Sequence, residues 1–594
     1  MTSRTSFCNG TLFSKTLRRF WPLWAAYLVI WLLTLPLGLH TALTNPSDVV
    51  SDAVLLQRQV YSVTRYGGLL LCFGMAPIAA MAVFSGLYEE KRAGVFASLP
   101  IRREASFGAF MLAGLLPLLA AHLLAAAAAA LIALGKGCFL WTPFLTYLGI
   151  TTLYTLCFYG FAVFCAQLTG QLLIVPAVYG VLEFTAPALE LLIRWLLSLF
   201  LYGFEGGDIT VGEYFSPFTA LFRHTAFFDR IEGTKTVGVQ FRGWPVALIC
   251  AASGVVLLAA ALLLYRKRRT ESAGDTVAVK PLKKVFSCAL GVGCALVLSA
   301  ILATFFGGGN LMKHRTAVVG AGFLLGGFIG YFGAEMLMRK SFRVFGACLR
   351  GGAILLAGLM LLLGAMRFDV LGLERRLPPV GKIESVQLHT AKGETAELGE
   401  PESIEKALEL NRYVLEHREG EDKGAYLRVR YKLKSGSYTH FYRQLPEEDA
   451  ELAKRLEELY NSDEAIRGRI PREVDRHDFH FTEVQFQTGE ATGEKTDYRS
   501  VEVTAEEAYE WYTTCIWPDV EEGTLGRVYF DEKTAPQTYN VECWLEIYRD
   551  APPEERSFAA SAYRPVQIRP TVGSTRTNEW LTAHGVELHL MPEE

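Results

Sequence analysis

The chain lacks the short motifs that mark many catalytic and metal sites. Its eleven cysteines form no C-x-x-C pair, its histidines form no H-E-x-x-H motif, and no G-x-S-x-G sequence occurs. Zinc ribbons, thiol redox motifs, zincins and nucleophile-elbow hydrolases therefore gain no support. The histidine-containing segment DRHDFHF, at 475–481, has no metal-ligand spacing and is interpreted as a solvated loop. We expect no catalytic residue and no metal site in this chain.

A functional phosphate-binding loop is missing as well. The nearest sequence, GEATGEKT at 489–496, has Glu494 where a P-loop requires a glycine before the lysine. The carboxylate at that position would repel a phosphate, so we interpret the segment as a polar hairpin turn. No ATPase site is expected in this chain.

Acidic residues are scarce in the first part of the chain. Residues 1–366 contain 29 Lys and Arg but only 15 Asp and Glu, whereas the remainder contains 29 and 46. The first part holds all the long apolar stretches, and the second has none. This asymmetry predicts two physically different regions. Because membrane orientation rules already predict a cationic first region, we expect no nucleic-acid partner.

Nine apolar stretches are long enough to cross a bilayer, which takes about 20 residues per helix. They lie near 21–43, 67–88, 107–134, 144–168, 171–203, 243–265, 286–306, 317–338 and 344–366. Lys and Arg concentrate in the loops that lie on the cytoplasmic side if the N-terminus is inside. The predicted fold class is therefore a polytopic α-helical membrane protein with about nine spans. An odd number of spans places the C-terminal region outside.

The chain divides into five predicted segments. They are an interfacial amphipathic helix (1–20), a six-span core (21–269), three additional spans (270–366), a linker (367–379) and an extracytoplasmic α+β domain (380–594). In the last segment, Leu427, Val429, Tyr431 and Leu433 alternate with basic residues, as in a half-buried strand of a hairpin. Thr504 followed by Glu507 predicts a capping box at a helix start.

Each ionisable or small residue within the spans can have either a structural role or a role in transport or dimerisation. Glu183 and Glu190 share a helix face, and Glu190 lies four residues before Arg194, which favours a structural ion pair over a transport pathway. Glu335 and Arg350 lie near predicted span ends, where their side chains can reach the interface. Gly322, Gly326 and Gly330 permit close helix approach, and internal packing is favoured over dimerisation.

Two cysteines, Cys515 and Cys543, lie in the C-terminal region. They form one disulfide if the compartment is oxidising, or else remain two free thiols. The sequence alone leaves both alternatives open. Most of the other cysteines lie within apolar runs, where a thiol behaves as a small apolar group.

The loop between the second and third predicted spans, LYEEKRAGVFASLPIRREASFGAF at 87–110, is unusually built for a short connector. Val95, Phe96 and Leu99 supply an apolar ridge, and Pro100 fixes a bend. Charges that can set the orientation of a bound partner lie at Arg92, Arg102, Arg103 and Glu104.

The order of elements over residues 10–265, together with the LPIRR sequence in this loop, resembles the permeases of ABC transporters of the exporter, or type two, class. The spans that follow and the outer domain resemble a bacterial subgroup of that class. In the family the loop is a coupling helix that docks into a separate ATPase subunit. The resemblance implies a homodimer or heterodimer of permeases in the cell membrane, surrounded by lipid. ATP and Mg²⁺ would bind the partner ATPase, and no cofactor is expected in this chain.

Two other functions remain open from the sequence. The first is a membrane sensor or signalling protein whose outer domain binds a ligand or peptide. The second is an ion-coupled transporter, which the absence of a clear mid-membrane charge network disfavours.

Overall fold

A computed structural model describes most of the chain. It describes residues 9–44, 51–89, 101–204, 211–232, 235–268, 282–306, 314–339, 341–391, 393–417, 426–434, 438–445, 449–472, 474, 479–488, 497–531, 534–539, 541–548 and 563–591. The chain divides into two compact units. The first comprises Met1–Leu196 and Gly207–Arg367, and the second comprises Leu197–Gly206 and Phe368–Glu594.

The first unit is almost entirely helical. It contains α1 (Gly10–Arg19), α2 (Trp21–Leu32), α3 (Gly38–Thr44), α4 (Asp52–Ser62), α5 (Leu69–Phe84), α6 (Arg103–Gly135), α7 (Trp141–Leu168), α8 (Val175–Phe200), α9 (Pro217–His224), α10 (Trp244–Lys267), α11 (Leu282–Phe306), α12 (Arg315–Arg339) and α13 (Phe345–Arg367). Short π-helical segments, Leu33–Leu37 and Val63–Gly68, join α2 to α3 and α4 to α5.

Nine helical stretches of the described chain are long and apolar enough to span a membrane, which confirms the predicted multi-pass architecture. The second stretch, Asp52–Leu87, begins well before the predicted apolar run near residue 67. Its early part, α4, is only partly apolar, so hydropathy alone misses it. The helix continues because Val54, Leu56, Val60 and Tyr61 are buried on one side, where the Tyr61 ring packs on Phe241 with centroids 5.7 Å apart.

The glycines of α12 allow close helix packing within the chain. A Cβ at Gly326 would lie 2.4 Å from the backbone oxygen of Cys294, and one at Gly330 would lie 2.6 Å from that of Leu290. Both contacts are with α11, so the prediction of internal packing by these small residues is confirmed.

Residues 211–242 form a compact extension of the first unit. After the short helix α9 come two antiparallel strands, β1 (Ala226–Glu232) and β2 (Lys235–Arg242). Ser216 caps α9 by accepting a hydrogen bond from the backbone N–H of Thr219. The strand pair lies in the chain between membrane-spanning helices α8 and α10.

The second unit contains two antiparallel four-stranded sheets. Its elements are β3 (Ile383–Thr390), β4 (Thr395–Leu398), α14 (Pro401–Glu416), β5 (Tyr426–Leu433), β6 (Tyr438–Gln444), α15 (Ala450–Tyr460), α16 (Asp463–Arg469), β7 (Phe479–Thr488), β8 (Asp497–Val503), α17 (Ala505–Trp511), α18 (Trp517–Glu521), β9 (Val541–Tyr548), β10 (Tyr563–Ile568) and α19 (Thr575–Ala583). The sheet orders are β4-β3-β5-β6 and β10-β9-β7-β8. The mixture of hairpins and helices confirms an α+β unit.

The two sheets belong to the same ββαββα arrangement, repeated in tandem. In each repeat the first strand lies at the centre of the sheet, paired with its own hairpin partner and with the third strand. Each central pair has a register shift near the start of its first strand, next to Ile383 in the first repeat and next to Phe479 in the second. The aligned strands read VQLHT at 386–390 and VQFQT at 484–488. We call the repeats module one and module two.

Each module has its own core. In module one, the inward-facing Val386, Leu388 and Val429 pack with Ala407 and Leu408 of α14. In module two, Cys543, Leu545 and Ile568 pack with apolar residues of the module's helices. Alternation of buried and exposed residues along β5 (Tyr426–Leu433) confirms the predicted half-buried strand. The Thr504–Glu507 capping box opens α17 as predicted.

Candidate functional site at the start of α6

The predicted coupling residues fall at the edge of the described chain. Arg92, Val95, Phe96, Leu99 and Pro100 lie outside the described residues. The other three can be placed. Arg102 is the N-cap residue of α6, and Arg103 and Glu104 occupy its first turn. The structure therefore describes where the predicted coupling segment re-enters the helical bundle.

Arg103 and Glu104 bind the end of α10, the sixth membrane-spanning helix. The Arg103 guanidinium donates hydrogen bonds to the backbone oxygens of Arg266, at 2.7 Å, and Arg268, at 3.0 Å. Glu104 forms an ion pair with Arg266, with 3.1 Å between Oε1 and Nε. A cation at a helix C-terminus satisfies carbonyl groups that have no partner within the helix. The start of α6 is thus fastened to the end of α10.

Arg268 in turn binds the end of α7, the fourth membrane-spanning helix. Its guanidinium donates to the backbone oxygens of Ala166, at 3.2 Å, and Thr169, at 3.0 Å, with a longer bond of 3.5 Å to Gln167. Burial lowers the pKa of Arg268, while its neighbours Tyr88 and Tyr265 act in the opposite direction. An arginine remains charged under these conditions. One guanidinium therefore connects the ends of α7 and α10.

Tyr88 brings the end of the second membrane-spanning helix into the same network. Its hydroxyl donates to the backbone oxygen of Ala166 at 2.9 Å, and the Arg268 guanidinium lies 5.5 Å from its ring centroid. Burial raises the pKa of the Tyr88 hydroxyl, so it stays a neutral hydrogen-bond donor. A cluster of rings lies alongside, in which the Tyr265 centroid is 5.5 Å from that of Phe107 and 6.4 Å from that of Phe84.

This arrangement joins both ends of the predicted coupling segment to a common set of helix ends. Tyr88 precedes the segment and Arg103 follows it, and both contact residues of the network around Arg268. A displacement of the segment would therefore act on several membrane helices together. The sequence singled out Arg103 and Glu104 but used Arg268 only as one of many basic residues that set orientation. No sequence pattern indicated a role for Tyr88, apart from its position at the end of a predicted span.

The carboxylates within the spans have distinct partners. The predicted Glu190–Arg194 pair is present, with 2.8 Å between Oε1 and Nε. Glu335 is buried, bonded to Ser287 at 2.8 Å and to Arg339 at 3.0 Å. Glu335 lies one turn before the end of α12, as expected, and its partner Arg339 is half-exposed. Glu183, which is 0% exposed, accepts a hydrogen bond from the backbone N–H of Phe218.

The cysteines of the second unit are two free thiols. Cys543 is fully buried in the core of module two, and Cys515 is partly exposed. Of the two alternatives left by the sequence, the structure shows the unbonded one. Within the described residues, no group of three or more His, Cys, Asp or Glu side chains is arranged to hold a metal ion.

Comparison with known proteins gives no assignment for this arrangement: no family model, curated protein or solved structure matches the chain.

Proposed function

We propose that this chain is the membrane-spanning permease subunit of an ATP-driven ABC exporter and couples to a separate ATPase subunit. The observation that supports the proposal most is the arginine network at the start of α6. An element that transmits force from a partner must be attached firmly to the helices it moves. Arg103, Glu104 and Arg268 provide such attachment between the end of the predicted coupling segment and helices α7 and α10.

The proposal assigns different tasks to the residues of the segment. Val95, Phe96 and Leu99 would form the apolar contact with the ATPase, with Arg92 and Arg102 orienting the encounter by charge. Arg103 and Glu104 have partners within the chain, so we assign them to transmission rather than docking. In this proposal the permease works as a dimer in the bacterial cell membrane, with the second unit outside.

The decisive experiment is purification of the tagged full chain from its host in mild detergent. We expect an ATPase subunit to accompany it, and the complex to hydrolyse ATP. Leu99→Asp should abolish this association, because it would place an unpaired carboxylate in an apolar contact at a cost of several kcal/mol. Arg102→Ala should mainly slow association and change its salt dependence. Normal association of the Leu99→Asp variant would refute the coupling assignment.

A sensor or signalling function is the second candidate. It is favoured by the size of the second unit, in which two modules each have a separate core. A chain that purifies without any ATPase, while its second unit binds a ligand or peptide, would favour this alternative.

A further inference from the structure

Glu183 differs from the other two carboxylates in the interior of the described spans. Glu190 and Glu335 each have an arginine four residues later in the same helix, and each is paired with it. Four residues after Glu183 is Pro187, which carries no charge. The Oε1 atom of Glu183 accepts one backbone hydrogen bond from Phe218, and its Oε2 atom is buried with no hydrogen-bond partner among the described residues. A carboxylate with one unsatisfied oxygen inside a membrane bundle is costly.

Phe218, whose backbone N–H bonds to Glu183, belongs to a cluster of aromatic rings. The ring of Phe218 lies 4.8 Å from that of Phe73, 5.4 Å from that of Phe184 and 6.4 Å from that of Phe158, measured between centroids. The Phe73 ring also lies 5.0 Å from that of Tyr179, one turn before Glu183 in α8. Four helices, α5, α7, α8 and α9, contribute these rings. Aromatic faces attract cations, most strongly where water is excluded.

The Glu183 carboxylate, which has no cationic partner among the described residues, attracts positive charge. The aromatic rings do so as well, so the two together suit a positively charged organic group. A small inorganic cation would require several oxygen ligands, whereas a single carboxylate with aromatic rings suits a large and weakly hydrated cation. We propose that Glu183, with Phe73, Phe158, Phe184 and Phe218, binds the charged centre of a lipophilic organic cation, such as a quaternary ammonium or phosphonium compound.

The segment at 211–224, which we call the cover segment, links such binding to movement. Glu183 bonds to Phe218 in α9, and Glu190 accepts hydrogen bonds from the backbone N–H groups of Val211, at 2.9 Å, and Gly212. A cation that attracts the Glu183 carboxylate competes with the N–H of Phe218. A ligand of this kind therefore favours states in which the cover segment is loosened from α8.

That the chain transports such cations rests on the proposed transport function. That it binds them at Glu183 does not. The test therefore uses the full chain alone, without an ATPase, in nanodiscs of zwitterionic lipid. The probe is radiolabelled tetraphenylphosphonium, and tetraphenylborate is its anionic counterpart of nearly the same shape. We expect saturable binding of the cation, with binding of the anion at least tenfold weaker.

Substitutions locate the site. Glu183→Gln keeps an oxygen that can accept the Phe218 hydrogen bond but removes the charge, and should weaken tetraphenylphosphonium binding at least tenfold. Phe218→Leu should weaken it several-fold. Glu335→Gln is the control, because it neutralises a buried carboxylate on a different helix outside the proposed site, and it should bind nearly as the unmodified chain does. Size-exclusion profiles identify any variant that fails to fold.

A measurement on the unmodified chain tests the site without depending on whether any variant folds. Dicyclohexylcarbodiimide modifies carboxyl groups in apolar surroundings, and mass spectrometry should detect its adduct on Glu183. Tetraphenylphosphonium, but not tetraphenylborate, should protect that residue. Equal binding of both ions, undiminished binding by Glu183→Gln, or absence of protection would each overturn the site. If the site binds the cation but no ATPase associates with the chain, the transport function fails while the binding site stands.

Discussion

The Nε atom of Arg443 donates a hydrogen bond of 3.0 Å to the side-chain oxygen of Asn411, and both residues are 0% exposed. The same guanidinium donates to the backbone oxygens of Tyr202 and, at 2.8 Å, Glu374. The side-chain N–H of Asn411 donates a hydrogen bond of 3.1 Å to the Tyr431 hydroxyl. One buried side chain thus holds together segments of the second unit that are far apart in sequence.

Replacement of Arg443 should therefore destabilise the second unit strongly. Arg443→Met leaves two backbone carbonyls and one amide oxygen without their donor, and each lost bond costs on the order of 1 kcal/mol. We expect the unfolding free energy to fall by about 3 kcal/mol, measured by thermal unfolding followed by tryptophan fluorescence. Arg455→Met, which removes an exposed pair with Glu451, should change it by less than about 1 kcal/mol. Equal effects of the two substitutions would contradict the assigned role of Arg443.

Arg268 should matter for coupling more than for docking. Arg268→Ala removes the bonds to the end of α7, whereas Lys267→Ala removes an exposed neighbour of the same charge. We expect the Arg268 variant to retain the ATPase subunit in pull-down assays but to lose most of the change in ATP hydrolysis that the permease causes. The Lys267 variant should behave as the unmodified complex does. If both variants lost both the bound ATPase subunit and the effect on ATP hydrolysis, the positive charge of this segment, and not the bonds of Arg268, would account for the result.

The two thiols of the second unit should react very differently. Burial raises the pKa of Cys543, so both access and ionisation oppose its reaction, whereas Cys515 is partly exposed. A membrane-impermeant maleimide applied to intact cells should label Cys515 without prior reduction, and label Cys543 only after denaturation. Cys515→Ser provides the control. Labelling of Cys515 only after cell lysis would place the second unit on the cytoplasmic side.

The stability of the second unit should decrease on mild acidification. Burial, with smaller contributions from Arg428 and Arg430, lowers the pKa of His389. Below the ordinary histidine pKa of about 6.5, the unfolded chain therefore binds more protons than the folded one. The stabilisation that neutral His389 gives the folded state is complete above about pH 6.5. It is lost as the pH falls toward the lower pKa of the folded state. Between pH 7.5 and 5.5, the unfolding temperature should fall less in His389→Gln than in the unmodified chain.

Two glycines of α12 form a matched pair for testing helix packing. A Cβ at Gly326 would lie 2.4 Å from a backbone oxygen of α11, whereas one at Gly333 would meet nothing within 4 Å. Gly326→Ala should therefore destabilise the helix pair by about 1–3 kcal/mol through overpacking, and Gly333→Ala should be neutral or slightly stabilising. Thermal stability in detergent compares the two variants. Similar loss of stability in both variants would contradict the role assigned to the close contact at Gly326.

Features that depend on neighbours in sequence were predictable. The membrane helices follow from long apolar runs, the β5 strand from alternation along Leu427, Val429 and Tyr431, and the α17 start from Thr504 and Glu507. The early start of the second span was not, because α4 is held by a buried face rather than by overall apolarity.

Features that depend on distant residues were not predictable in this way. Arg268 gains its role by meeting the ends of α7 and α10 and the Tyr88 ring, none of which a local pattern specifies. Glu183 was noted for its place within a span, but only a comparison with the arginine partners of Glu190 and Glu335 reveals that no described cation is paired with it. The tandem modules were missed because strand order is set by pairing between β3 and β5, which the long α14 separates.

The repetition of the ββαββα module has a consequence for how this chain can evolve. Each copy completes its own sheet and core, so a substitution within one core leaves the contacts of the other core unchanged. Where Arg430 faces His440 across the first sheet, the second copy instead has Glu542 bonded to Arg569 at 2.9 Å. The two copies thus present different charges at equivalent positions of the same scaffold, and a ligand that binds this face by charge would distinguish them.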